Sequence, residues 1–203
     1  MARLGFDGWI AGLGTSSGLR IVVGHWSASP YGPMSDVMVE RPDGRRLLLA
    51  PTEEIARFIA STYVFDDVAV QSVDVRVKGA TWSVAAGALR LEFSTGGRPV
   101  LGRVLRLVPG RLVGSPRWSA LLDRPAAVLL PGVRTTGSAG SGRREWYGAR
   151  DLHRITAATG TWDGAELGRL AEVSPAVRFG FGSVPRRPSL VRVTTTVELP
   201  GPR

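Results

Sequence analysis

The densest group of chemistry-bearing side chains is the run Arg143-Arg144-Glu145-Trp146-Tyr147-Gly148-Ala149-Arg150-Asp151-Leu152-His153. It holds one of the chain's two histidines, two carboxylates, two large aromatics and three arginines. Asp151 and His153 are two residues apart, so on a strand they share a face and the carboxylate can orient the imidazole, as a general base requires. No nucleophile attaches to the pair, because Ser138 and Ser141 fall in the Gly-rich stretch 137–142 and the chain has no Cys. The alternative is a surface loop anchored by Trp146 and Tyr147, its charges left in water. The ligand-binding candidates are therefore Glu145, Trp146, Tyr147, Asp151, His153, Arg143 and Arg144, with no catalytic role assigned.

Other motifs yield less. His25, beside Trp26 at the end of an apolar segment, reads as a buried, hydrogen-bonded histidine. Two His without ligand spacing give no metal site, and the absence of Cys removes thiolate chemistry. Neither a metal nor an organic cofactor is expected. GLGTSSG (12–18) precedes a strand, whereas a dinucleotide fingerprint must follow one and open a helix. GSAGSGRR (137–144) could offer backbone N–H groups and two Arg to an anion, but reads better as a flexible loop. The six Trp, at 9, 26, 82, 118, 146 and 162, are scattered as in a core or cavity lining.

Charge is unevenly placed. Residues 1–100 balance ten Lys/Arg with ten Asp/Glu, while residues 101–203 carry sixteen Arg against seven acids, the whole +9. Within 98–154, eleven Arg face Asp123, Glu145 and Asp151. Such a region suits an anionic partner, whether a carboxylate ligand, a phosphate, a nucleic acid or an acidic lipid. Lys78 is the only lysine, a ratio that codon bias in a GC-rich genome explains.

These residues must be positioned by a mostly β-structured chain. Strands are expected at 19–26, at 35–41 and 45–50 around the Pro42-Asp43-Gly44 turn, at 73–77 and 89–93, and at 152–161, 176–182 and 189–199. One clear helix is predicted at 52–63, capped by Thr52, with Ile55, Phe58, Ile59 and Tyr63 as its apolar stripe. One or two short helices are predicted within 100–123: one on Leu101, Val104, Leu105 and Val108, the other from Ser115-Pro116 to Leu122. Residues 1–18 read as an irregular segment. The fold class is α+β, a predominantly antiparallel curved sheet or partly closed barrel in a single domain, 1–203. No apolar stretch approaches a bilayer span, and Asp7 interrupts the apolar start, so a cytoplasmic location is expected.

The run SPYGPMSDVMVERPDGRRLLLAP (29–51), the helix after it, and PAVRFGFGSVPRRPSLVRVTTTVEL (175–199) resemble a conserved-hypothetical family of high-GC actinobacteria. In element order, 19–199 more distantly resembles the acetoacetate decarboxylase-like superfold. That resemblance implies a curved antiparallel sheet closing round a cavity for a small organic molecule. The mechanism does not follow, since those enzymes form a Schiff base on a lysine beside a second lysine. Lys78 stands alone and alternates onto the side of Asp74 and Arg76, so no imine is expected on it.

Two functions follow from these readings. The first is binding of a small apolar or carboxylated ligand in a β-rich cavity, with or without catalysis. The second is a polyanion surface using the arginines of 98–154, for nucleic acid or acidic lipid; nucleic acid is the less favoured partner, because basic-aromatic alternation is absent. The sequence leaves the oligomeric state open.

Overall fold

Alternating side chains divide each of the first strands between two faces, and both faces are buried. The architecture appears in a computed structural model that describes residues 3–107, 136–139, 143–180 and 184–198. Its strands are β1 (Arg3–Thr15), β2 (Arg20–Ala28), β3 (Met34–Glu40), β4 (Arg46–Ala50), β5 (Asp67–Val70), β6 (Val73–Lys78), β7 (Thr81–Ala86) and β8 (Leu89–Thr95). These are followed by β9 (Thr136–Ala139), β10 (Arg143–Trp162), β11 (Ala165–Glu166), β12 (Leu170–Ala171) and β13 (Ser189–Glu198). Helices α1 (Glu53–Ala60) and α2 (Val100–Leu107) interrupt the series. The principal strand order is β5-β4-β3-β2-β1-β13-β10-β8-β7-β6, antiparallel except where β5 runs parallel to β4. The result is the expected α+β fold: a curved sheet, curled into a half-barrel.

Inside the curl, Ala11, Leu13, Ile21, Val23, Val37 and Val39 meet Trp82, Val84, Leu89, Leu91 and Phe93 from the far strands. The outer face of β1–β4 and β13 is covered by α1, whose Ile55, Ala56 and Ile59 pack on Phe6, Trp26 and Leu48. A second cover comes from residues 172–180 and Val184, with Val173, Phe179 and Val184 lying on Val22. Helix α1 begins as its sequence requires: Thr52 accepts from the Ile55 amide at 3.3 Å, and Glu53 and Glu54 occupy the positive end of the helix dipole.

Several expectations change. Residues 3–15 form the central strand β1, not an irregular segment. Burial on both faces removes the polar alternation that marks a half-exposed strand, and glycines break what pattern remains. One of them, Gly12, is required by packing, since a Cβ there would lie 1.9 Å from Val184 Cγ1. Of residues 137–142, expected as a flexible loop, 137–139 belong to β9, which pairs with β10 in the register Trp146↔Thr136 to Arg143↔Ala139. The strand expected at 176–182 is irregular through 172–180, with Arg178 drawn by its backbone and side chain to Glu40 instead of into a ladder. The helix expected at 52–63 ends at Ala60. Helix α2 forms near the expected position but buries only Gly102, leaving Val100 and Leu107 at 75% and 81% exposure. The helix expected at 115–122 lies outside the described residues. Among the described residues no helix is long and apolar enough to cross a membrane.

Candidate functional site

A partly open cavity of about 60 Å³ lies between the outer face of the sheet and its covers. Its floor comes from β1 and β2 (Phe6, Ile10, Val22, Gly24, Trp26) and from Met34, Asp36 and Met38 on β3. Phe58 and Ile59 of α1, with Phe179 beyond them, form the roof. Phe6 holds the aromatic wall together, stacked on Phe58 at 5.4 Å between ring centroids and edge-on to Trp26 at 5.6 Å.

Into this apolar space the sheet places one carboxyl group. Asp36 is 3% exposed, and the Trp26 indole N–H donates to its Oδ1 at 2.9 Å. Burial pushes Asp36 up to about 6, with the indole hydrogen bond pulling the other way. Among the described residues no Arg, Lys or His lines the cavity. Gly24, opposite Asp36 across the β2–β3 ladder, makes the arrangement possible, since a Cβ there would sit 2.4 Å from Asp36 Oδ1 and 2.7 Å from Trp26 Nε1.

The other polar atoms gather toward β13 and β10. Thr195 is 2% exposed and lines the cavity, and its hydroxyl oxygen has no hydrogen-bond partner. Beside it in the ladder is Tyr147, whose hydroxyl shares a hydrogen bond with that of Tyr63, just beyond α1. Asp36 on β3 and Thr195 on β13 are separated by β2 and β1. Asp36 is in register with Gly24, Ile10 and Val191, whereas Thr195 is opposite Phe6. The two polar positions are therefore offset by roughly 14 Å across the strands and about 13 Å along them. The cavity is thus apolar in the middle and polar at two ends.

The inner face carries a different cluster. Ser35, His25, Trp9, Arg192 and Asp151 follow one another through the registers of β3, β2, β1, β13 and β10. His25 Nδ1 and Ser35 Oγ are 2.8 Å apart, and burial lowers the pKa of His25. His153 stands edge-on to Trp9, with Nδ1 3.2 Å from the Gly96 carbonyl and Nε2 3.5 Å from Asp151 Oδ2. Arg98 Nε donates to both oxygens of Asp151, at 2.9 and 3.0 Å. Burial raises the pKa of Asp151, but the hydrogen bonds from Arg98 and the Leu152 amide outweigh it, leaving the net shift downward. Asp7 lies one step further along, bonded by Thr194, Arg150 and Arg192; these likewise outweigh burial and hold it low. Carboxylates here have cationic partners.

The run 143–153 is therefore divided. Tyr147 faces the cavity beneath α1, whereas a bulge between Ala149 and Asp151 turns Asp151 and His153 to the inner face. Trp146, opposite Thr196, alternates away from Tyr147 and is half-buried. Arg143, Arg144 and Glu145 pair as backbone with Ala139, Ser138 and Gly137, and their side chains lie outside the described residues. Sequence reasoning missed Asp36, Gly24, Trp26, Tyr63 and Thr195 as site residues. The available signal was an acid inside the apolar alternation Met34, Asp36, Met38. Lys78 lies exposed at the end of β6, opposite Thr81. Among the described residues no three His, Asp or Glu gather as metal ligands would.

No protein-family model matches the chain, and no curated protein matches it. Among solved structures, an acetoacetate decarboxylase from Legionella pneumophila subsp. pneumophila str. Philadelphia 1 is similar over 97% of this chain and 84% of its own. The TM-score is 0.46 and the identity 9%.

Proposed function

We propose that this protein binds a small, predominantly apolar organic molecule in the cavity between the outer face of the sheet and α1. The observation that carries the reading is Asp36: a buried carboxyl on the cavity wall, bonded to the Trp26 indole but without a counter-ion among the described residues. Such a group costs stability, so its presence in an aromatic cavity points to a ligand that completes it. Of the two ligand types the sequence suggests, the apolar one fits, because a carboxylate would meet Asp36 and no cation. Saturation-transfer NMR with n-butanol tests this. Transfer is expected to the wild-type chain and to be lost in Gly24→Ala, whose added methyl enters the cavity beside Asp36. Equal transfer to a folded Gly24→Ala protein, or none to either, overturns the reading.

A second reading keeps the arginines as a polyanion surface, favoured by one open depression bordered by Arg98, Arg103, Arg106 and Leu107. Arg98 is already committed to Asp151, which leaves Arg103 and Arg106 to carry it. Retention on heparin that is unchanged in the Arg103→Ala/Arg106→Ala double variant would remove this reading.

A further inference from the structure

The cavity beneath α1 pairs an acid with aromatic walls. Its lining includes Asp36 and the rings of Phe6, Trp26, Phe58, Tyr63, Tyr147 and Phe179, with the Trp26 indole bonded to the carboxyl. Ring faces attract cations, and an ammonium placed between such faces and a carboxylate gains from both. A neutral alcohol can donate a hydrogen bond to Asp36, yet it leaves the buried charge uncompensated. A carboxylate adds a second anion beside the first. Only a cation answers the charge, and in a desolvated site that difference is large.

Resting on the small-ligand reading above, we propose that the ligand is a small organic amine, held as its ammonium ion by Asp36 with its apolar part along the aromatic wall. Size agrees with a slender molecule. The cavity is about 60 Å³, against roughly 150 Å³ for a cavity that takes benzene, so it holds an ammonium head and a few methylenes. The chain's +9 net charge does not oppose this, since exposed charges are screened beyond roughly 8–10 Å at physiological salt.

Binding then depends on the ionised form of Asp36. Around it, β2 contributes Gly24 and Trp26, β3 Met34 and Met38, α1 Phe58 and Ile59, and the 177–180 segment Val177 and Phe179. Among the described residues the other titratable lining groups are the Tyr63 and Tyr147 phenols. The charged groups further along this face, Glu40 with Arg20 and Arg178, are bound to one another. With Asp36 near 6, amine affinity rises roughly tenfold from about pH 5 to about pH 8 and levels off above.

The test compares n-butylamine, n-butanol and butyrate on the full chain by calorimetry and saturation-transfer NMR, near pH 5 and near pH 8, with wild type and Asp36→Asn. Asparagine keeps an oxygen for the Trp26 indole. The expected result is butylamine at least tenfold tighter than butanol near pH 8, a preference that shrinks near pH 5 and disappears in Asp36→Asn. Butanol equal to butylamine near pH 8, tighter butyrate, or an amine preference surviving in the variant overturns the amine assignment while leaving the cavity as a binding site. No binding of any of the three overturns both. If Asp36→Asn does not fold, the wild-type pH series decides alone.

Discussion

Asp36 and Glu40 lie four residues apart on the same face of β3, at 3% and 0% exposure, and their surroundings are opposite. Glu40 is enclosed by its partners: Arg20 Nη2 at 3.3 Å, Arg178 Nε at 3.0 Å, and the Arg178 amide donating to Oε2 at 2.7 Å. Arg20 also donates to the carbonyls of Arg41 and Pro175, so the group joins β2, β3 and the irregular cover segment. Asp36 has an indole and a cavity. Burial alone therefore says little about what a carboxylate is for. The partners decide: a filled set marks a clasp, and the carboxyl with no cation among the described residues is the one proposed to meet a ligand.

The comparison breaks most visibly at Glu40. Glu40→Ala strands Arg20, only 5% exposed, without its carboxylate. Removing one member of a buried pair costs about 3–5 kcal/mol. Urea unfolding near neutral pH should show that loss, together with early exposure of the 172–180 segment in hydrogen exchange. A cost below about 1 kcal/mol, the level of a surface pair, would mean the clasp is not a clasp.

Removing the charge from Asp36 should do the reverse. Its folded pKa is raised, so the protonated form is favoured in the folded state. Its contribution is fully present below the ordinary carboxylate pKa, near 4, and is lost as pH rises to about 6. A two-unit shift corresponds to about 3 kcal/mol. Asp36→Asn, neutral throughout, should gain roughly that amount over wild type between about pH 4 and pH 7.5. Thermal melts at the two pH values measure it. A difference that does not change with pH would show that the carboxyl is not held in an unfavourable charged state.

How much of this was legible in the sequence follows from burial. The alternating strands β6 and β8, α1 with its Thr52 cap and the turn at Pro42-Asp43-Gly44 were readable, because each combines a local signal with a solvent-facing side. Gly44 indeed has φ +86°. β1 was not, since a strand covered on both faces shows no alternation, and Gly8, Gly12 and Gly14 look like loop residues until the chain packed against them is known. The candidate site was half visible. Asp151 and His153 were expected to share a face, and they do approach each other. Asp36 was hidden because Met34–Glu40 is buried on both sides, and nothing local says which side holds the cavity. The excess of Arg pointed away from this cavity, whose described lining contains an acid and no base.

Gly24→Ala tests how closely Asp36, Trp26 and the cavity are joined. A methyl group 2.4 Å from Asp36 Oδ1 must displace the carboxyl, the indole or the strand. Overpacking of this kind costs about 1–3 kcal/mol, and the Trp26–Asp36 bond should go with it. A crystal structure of the variant with that 2.9 Å bond intact and the cavity still open would separate Gly24 from the site.

The smallest effect is expected on the inner face, at Asp7. Its carboxylate accepts from Thr194 at 3.0 Å, Arg150 at 3.1 Å and Arg192 at 3.2 Å, with the two arginine side chains 37% and 45% exposed. Either arginine can leave while the other remains, so Arg192→Ala should cost under about 1 kcal/mol and less at high salt. The pH sign is opposite to that of Asp36. Asp7 has a lowered folded pKa, so its contribution is present above the ordinary carboxylate pKa and lost as pH falls through the folded one. Adding Arg150→Ala should cost more than the two single changes together, because the second removal leaves Asp7 with only the Thr194 hydroxyl. Strict additivity in that cycle would mean the two guanidiniums act separately. Redundant pairing would then no longer distinguish the inner face from the single, uncompensated carboxyl beneath α1.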